Sequence, residues 1–320
     1  MWRVRGLLIV NLGSPDSPAP SDVRAFLAKF LSDPRVVDFP RVVWLPILHG
    51  IVLRVRPRKS GAIYKTIWTP EGSPLVVHTK RQHQLLQEAL PNWNVKYAMT
   101  YTSPSIDSAL QEFENEGVDD ITVLPLYAQT TPSSSGAVVD QVMDYYRNQQ
   151  HHPHLRIIGK WPTQPDYVNW HAKQIAQRVH SDIPAPQMIL LSYHGVPQRA
   201  AHKPEGYRQE CLATSSAIET QLRKLGVDTP VLTTFQSKFG PGKWLRPATI
   251  DTMASLPDRG VTSVLVASPA FVSDCIETVD ELDVLNQDAF KEAGGKHYQR
   301  VAPINDDPVI VDIVKDLLGE

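Results

Sequence analysis

Cysteine is scarce: Cys211 and Cys275 are the only two in 320 residues. Two thiols exclude a disulfide framework and a four-cysteine iron–sulfur cluster, and they fit a reducing compartment. An excess of one charge is also missing. The 32 basic and 34 acidic side chains leave a net charge of −2, so no basic field recruits nucleic acid. Long apolar runs are absent as well. GLLIV, after a basic start, is too short for the core of a signal peptide and ends at Asn11 and Gly13 as a strand would. VVWLPILHGIVL, residues 42–53, is 12 residues long, contains Pro46, His49 and Gly50, and cannot span a bilayer. It runs into Arg54, Arg56, Arg58 and Lys59, so an apolar lip touching a membrane surface is one reading. A buried or site-lining segment is the preferred one. The nucleotide-binding glycine patterns are lacking too: NLGSPDSP stands where G-x-G-x-x-G would, and QSKFGPGKWLRP (236–247) does not contain G-x-x-x-x-G-K-[ST]. The histidines of HHPH, His151, His152 and His154, have no supporting carboxylate or cysteine and read as a solvated turn. What remains is a soluble cytoplasmic protein with, at most, peripheral membrane contact.

Eight short apolar runs bounded by Gly, Pro, Asn or Ser read as strands: 6–12, 95–101, 120–127, 155–161, 187–193, 230–236, 263–271 and 298–304. Helical patterns alternate with them. One opens at Ser21 with Val23, Phe26, Leu27 and Phe30 on one face; another takes Ser103 as N-cap, Pro104 at the first position and Gly117 as its stop. Such alternation indicates an α/β protein with parallel sheets. EGVDDITVLPLY and RGVTSVLVASPAF occupy matching places in the two halves, a weak internal duplication. The expected architecture is two doubly wound, Rossmann-like domains of four parallel strands each, over residues 1–163 and 164–320. Ligands of such domains sit beyond the carboxyl ends of the strands, and a cleft between two domains is the natural site. The final helical stretch, DPVIVDIVKDLL, fits either half.

The chain is organised around FVSDCIETVDEL, 271–282. Asp274, Glu277 and Glu281 stand at i, i+3 and i+7 of a helical pattern, on one face, where like charges repel. Asp274 as N-cap and Glu277 in a capping box account for two of them. Handling a cation or relaying protons accounts for all three, and both readings stand. The strand at 187–193 runs directly into His194, placing an imidazole at a strand's carboxyl end, able to accept a proton or ligate a metal. Trp244, in a Gly/Pro loop, either stacks on a flat ligand or packs the domains together. Ser73 in WTPEGSPL and Tyr127 in LYAQTTPSSSG add hydroxyls at strand ends, and Arg56 is placed to hold carboxylates.

Taken together, NLGSPDSP, GSPL (72–75), LPLYAQ (124–129), LSYHGVPQR (191–199), FQSKFGPGKWLRP (235–247) and FVSDCIETVDEL resemble, in that order, the motifs of the ferrochelatase family, closest to its proteobacterial members. The resemblance implies two Rossmann-like domains with a porphyrin cleft, and insertion of Fe²⁺ into protoporphyrin IX with release of two protons to give protoheme. It implies His194 and Glu277 as the catalytic metal-site residues, with Glu281 and Asp274 on an acidic path. Leu12, Arg56, Ser73, Tyr127 and Trp244 would contact the porphyrin. Ferrous iron and protoporphyrin IX are substrates, no prosthetic group or iron–sulfur cluster is expected, and the protein is expected to be a monomer. Thr100 stands where many relatives have arginine, and Cys275 where some have histidine. The alternatives are a chelatase of the same fold using coproporphyrin or another metal, or a non-catalytic porphyrin or metal carrier.

Overall fold

The computed structural model describes residues 5–150, 152–181, 183–198, 204–238 and 242–320. His151 and residues 239–241 of the glycine loop therefore lie outside the described residues. The chain divides into two compact units, Met1–Lys160 and Trp161–Glu320.

The first unit holds β1 (Arg5–Asn11), β2 (Trp93–Met99), β3 (Asp120–Pro125) and β4 (His154–Ile157) in the order β2-β1-β3-β4, all parallel. The second holds β5 (Met188–His194), β6 (Val231–Gln236), β7 (Ser263–Ala267) and β8 (His297–Val301) in the order β6-β5-β7-β8, again parallel. All eight strand-like runs are strands, and the two units repeat one topology. Both faces of each sheet are covered, which is why the central strands are mostly apolar and buried rather than alternating. Leu7, Leu8, Ile9 and Val10 of β1 are all fully buried. Leu8 and Val10 belong to a cluster with Phe113, Ile121, Val123 and Val142. Burying a side chain such as Phe113 stabilises by about 1.5–3 kcal/mol relative to exposure.

In each unit the strand order reverses at its first strand, β1 or β5. The crevice beyond the carboxyl ends of β1 and β3, and of β5 and β7, is thus a topological switch point, where doubly wound folds bind ligands. Leu12 and Tyr127 follow β1 and β3. His194 ends β5, and the segment carrying Asp274, Glu277 and Glu281 follows β7.

Several local expectations move. The helix expected from Ser103 starts at Ile106 with Ser105 as its N-cap, accepting from the Ser108 amide at 3.1 Å. Pro104 is drawn out of it because its carbonyl accepts the Met99 amide at 2.7 Å. The first helix, Pro20–Ser32, is capped at Ala19 with Pro20 at its first position instead of opening at Ser21. β4 stops at Ile157, before Trp161, whose ring packs edge-on against Tyr167 of the second unit. The helix Val309–Leu318 docks in its own unit: Gln164 Nε2 donates to Asp316 Oδ2 at 3.2 Å.

The stretch 42–53 departs from the buried part of its preferred reading, buried or site-lining. It is a helix, Arg41–Ile47, continued by a π-helical turn, Leu48–Val52, into the helix Leu53–Ile67. Only Leu48 and Leu53 of it are buried, while Val42 is 85% exposed and Ile51 61%. Trp44, Leu45 and Val52 are half-buried, while helical periodicity turns Val42, Val43, Ile47 and Ile51 to solvent, and Val55 extends that face. Among the described residues no helix is long and apolar enough to cross a membrane.

Candidate active site

In the second unit the site grows from one backbone pairing. Along β5 and β6, His194 lies opposite Gln236, and both strands end there. The Gly195 amide donates to the Gln236 carbonyl at 2.7 Å, so the chain leaves β5 flat against its neighbour. Only glycine allows this, since a Cβ at position 195 would sit 2.5 Å from that carbonyl oxygen. The loops then pair: Gln198 donates to the Lys243 carbonyl at 2.7 Å and the Leu245 amide to the Val196 carbonyl at 3.0 Å. This sets half-buried Trp244 beside Gly195, and Phe271 lies with its ring centre 6.3 Å from that of His194.

The His194 tautomer follows from its partners. Nδ1 lies 2.7 Å from the Gly195 carbonyl oxygen, which can only accept, so Nδ1 carries the hydrogen. This tautomer keeps the lone pair on Nε2, which has no hydrogen-bond partner among the described residues and can take a proton or a metal ion. The His194 carbonyl accepts from the Tyr207 hydroxyl at 2.8 Å, fixing the backbone behind the ring.

The carboxylate segment is not one regular helix. It is a short α-turn, Ile276–Val279, followed by a π-helical turn, Glu281–Asn286. Its N-cap is Cys275, one residue later than expected, and the capping-box partner is Thr278 in place of Glu277. Asp274 stands outside the helix and is fully engaged. It pairs with Arg300 at 3.0 Å, accepts from Thr278 Oγ1 at 2.7 Å and accepts from Asn305 Nδ2 at 2.8 Å. Arg300 also forks onto Asp283 with two 2.8 Å bonds, and Tyr298 donates to the Leu282 carbonyl at 2.7 Å. Asp274 thus helps to fasten the segment to β8, while Glu277 and Glu281 are left to one side of that network.

Glu277 and Glu281 meet β6. Gln236 Nε2 donates to the Glu277 carbonyl at 2.7 Å and to Glu281 Oε2 at 3.3 Å. Glu281 Oε1 accepts the Ser237 amide at 2.5 Å and Oε2 the Ser237 hydroxyl. Burial raises the Glu281 pKa above the ordinary carboxyl value; the Ser237 bonds and His194 act against the shift, and Glu277 adds to it. His194, Glu277 and Glu281 therefore share one electrostatic neighbourhood. Burial, reinforced by the Glu277 carboxylate, also pushes the Cys275 thiol well up, and burial raises Cys211. Both thiols are held protonated, as poor metal ligands. Among the described residues no three His, Cys, Asp or Glu side chains form a ready-made metal shell.

In the first unit the loop after β1 is tied to the helix Pro74–Ala89 and the residue before it. Asn11 Nδ2 donates to Thr79 Oγ1 at 3.1 Å and Ser73 Oγ to Ser14 Oγ at 2.7 Å. Leu12 lies between these two ties, and Ser73 itself is buried. Half-buried Tyr127 follows β3, and the Leu126 amide donates to the Val10 carbonyl at 2.8 Å. Arg56 sits half-buried on the helix Leu53–Ile67, where burial lowers its pKa. Tyr101, after Thr100, is bonded to Asp33 at 2.7 Å. Gln236, Ser237 and Arg300 were not among the residues expected from sequence; only the position of Gln236 and Ser237 at the end of an apolar run pointed their way.

An imidazole with an open Nε2, beside two carboxylates of which one is held protonatable, is suited to receiving a cation and removing protons. Known proteins point the same way. Over the whole fold the chain is similar to SirB from Bacillus subtilis with Fe³⁺, at TM-score 0.55 and 13% identity, covering 99% of this chain and 94% of that one. It is also similar to the sirohydrochlorin chelatase SirB from Bacillus subtilis subspecies spizizenii in complex with cobalt, at TM-score 0.52 and 11% identity, covering 98% and 92%. Curated relatives include a ferrochelatase of Pectobacterium atrosepticum, 38% identical with 98% of each chain covered, and one of Alcanivorax borkumensis, 41% identical with 99% of this chain and 94% of the relative covered. A coproporphyrin III ferrochelatase of Enterococcus faecalis is 38% identical, with 98% of each covered. With the ferrochelatase family model matching residues 4–320, the chain belongs to the ferrochelatase family, lyases that insert metal into a porphyrin in heme biosynthesis.

Proposed function

We propose that this chain inserts Fe²⁺ into protoporphyrin IX to give protoheme. The observation that carries the reading is the hydrogen-bonded frame at the end of β5 and β6, which holds His194, Glu277 and Glu281 in one neighbourhood with His194 Nε2 open. Metalation replaces two pyrrole protons by one Fe²⁺, so the site must accept two protons and admit a cation as it sheds water. His194 Nε2 takes a pyrrole proton, and Glu277 offers a carboxylate to the incoming ion. Glu281, its pKa raised by burial, passes protons on from a neutral or ionised state. The family's motifs assign Leu12 and Trp244 to the ring faces and Arg56, Ser73 and Tyr127 to its edge and carboxylates.

The exposed apolar face of Val42, Val43, Ile47, Ile51 and Val55, set against the macrocycle, would suit vinyl-bearing protoporphyrin better than coproporphyrin. Protoporphyrin carries two propionates and two vinyl groups; coproporphyrin carries four propionates and asks for more cationic partners. Thr100, uncharged and bonded to the Asn11 carbonyl at 3.2 Å, fits the less charged substrate. The same apolar face, flanked by Arg54, Arg58 and Lys59, suits peripheral contact with a membrane interface. The test is anaerobic Fe²⁺ insertion into each porphyrin, followed by visible absorption. Turnover with protoporphyrin IX should exceed that with coproporphyrin III at least tenfold; the reverse preference overturns the assignment, and tight porphyrin binding without turnover identifies a carrier.

A further inference from the structure

We infer that Gln236 and Ser237 form a positioning clamp for the reaction, setting Glu281 and the Glu277 turn against His194. The inference rests on the metal-site reading of His194 and Glu277 given above. Three observations join in it. First, the backbone of Gln236 faces His194: it is the strand partner of that residue, and its carbonyl takes the Gly195 amide at 2.7 Å. Second, its side chain is almost fully buried and engages groups other than that backbone pairing. Its Oε1 accepts from Ser192 Oγ at 2.7 Å, two residues before His194, while Nε2 reaches the Glu277 carbonyl and Glu281 Oε2. Ser192 in turn is bonded to Thr249 at 2.8 Å and Thr249 to Thr234 at 2.9 Å, so the amide is held from behind as well as in front. One residue therefore touches both sides of the proposed metal site, through different atoms.

Third, Ser237 adopts a left-handed backbone, φ +63°, which a non-glycine residue enters at a cost. In that conformation its amide and hydroxyl point the same way, and each takes one oxygen of the Glu281 carboxylate. With Gln236 adding a third donor, the Glu281 rotamer is determined from the β6 end, not from its own helix. That matters because Glu281 opens a π-helical turn, where the regular i→i−4 ladder does not set the side-chain direction. The backbone strain at Ser237 coincides with a bidentate grip on a buried carboxylate, which is a use for serine where glycine would be the easier residue.

The test is Ser237→Gly. Glycine keeps the backbone amide and suits positive φ, so it removes the hydroxyl alone. Expected are a melting temperature equal to or above wild type, an unchanged KM for protoporphyrin IX, and a kcat for Fe²⁺ insertion lowered about tenfold. A structural role for Ser237 gives the opposite pattern, with activity kept, and overturns the clamp. In a Glu281→Gln background the same substitution should change kcat less than twofold, because its object is already altered; independent, multiplying losses also overturn it. His194→Ala and Glu277→Gln run alongside. If these keep full turnover, the metal-site reading fails and the clamp falls with it. If they lose turnover while Ser237→Gly does not, only the clamp is wrong.

Discussion

Gly195→Ala is a small change with a calculable effect. An ideal Cβ there lies 2.5 Å from the Gln236 carbonyl oxygen and 3.6 Å from Trp244 Cε3. The first contact is with backbone, in the middle of a strand-end pairing, and cannot swing aside. Either the loop lifts, breaking the 2.7 Å bond from the Gly195 amide, or β6 shifts. Overpacking of this kind costs about 1–3 kcal/mol and a lost hydrogen bond about 0.5–1.5, roughly 2–4 kcal/mol together. For a unit the size of Trp161–Glu320 that lowers the melting temperature by about 4–16 °C. The loss in turnover should be larger than the stability loss suggests. The Gly195 carbonyl holds His194 Nδ1, so a lifted loop carries the imidazole with it, and a misplacement of ~1 Å is worth about 10²-fold in rate. The assay is a thermal melt together with the initial rate of Fe²⁺ insertion at a temperature where the variant is fully folded. Wild-type melting and wild-type rate in Gly195→Ala would refute the pairing of β5 and β6 as the frame of the site.

Arg300→Met removes the partner of Asp274 and Asp283, and breaking such a pair costs about 3–5 kcal/mol when both groups are buried. Because Asp283 is 37% exposed and regains water, a value near the low end, about 3 kcal/mol, is expected in denaturant melts. His171 is buried between Tyr167 and Trp170, and burial lowers its pKa to about 3. Below its unfolded value near 6.5 the unfolded state binds the extra proton, so stability present above pH 6.5 is lost as pH falls towards 3, about 2 kcal/mol of it by pH 5. His171→Leu should flatten that fall in urea melts between pH 7 and 5; an unchanged slope would mean that another group is responsible.

The strands were legible because sheets covered on both faces demand continuous apolar runs, and Gly, Pro, Asn and Ser end those runs where the chain turns. The placement of His194 followed from that alone. Helix starts were less legible: Pro104 is as good a first residue as any, until the Met99 amide claims its carbonyl. The segment around Glu277 was read as one regular helix because residues at i, i+3 and i+7 share a face. The late Cys275 cap and the turn at Glu281 put Asp274 in the hands of Arg300 and Asn305 instead. Gln236 and Ser237 were not legible as partners of Glu277 and Glu281. Their contacts span 41 to 45 residues, and a positive φ at serine leaves no mark in composition. The stretch 42–53 had apolar residues, but apolarity does not say which side of a helix meets the protein.

Glu277 is the residue on which the metal site can be tested most directly. The Thr278 hydroxyl, not the Glu277 side chain, completes the capping box, so Glu277→Gln should leave the cap and the melting temperature nearly unchanged. It removes the charge and the proton acceptor while keeping the shape. Paired thermal melts and initial rates of Fe²⁺ insertion into protoporphyrin IX, followed in the visible spectrum, decide the matter. A stable variant that binds porphyrin and inserts iron at about a hundredth of the wild-type rate is the expected result. A stable variant with full turnover would contradict the assignment of Glu277 to the metal site.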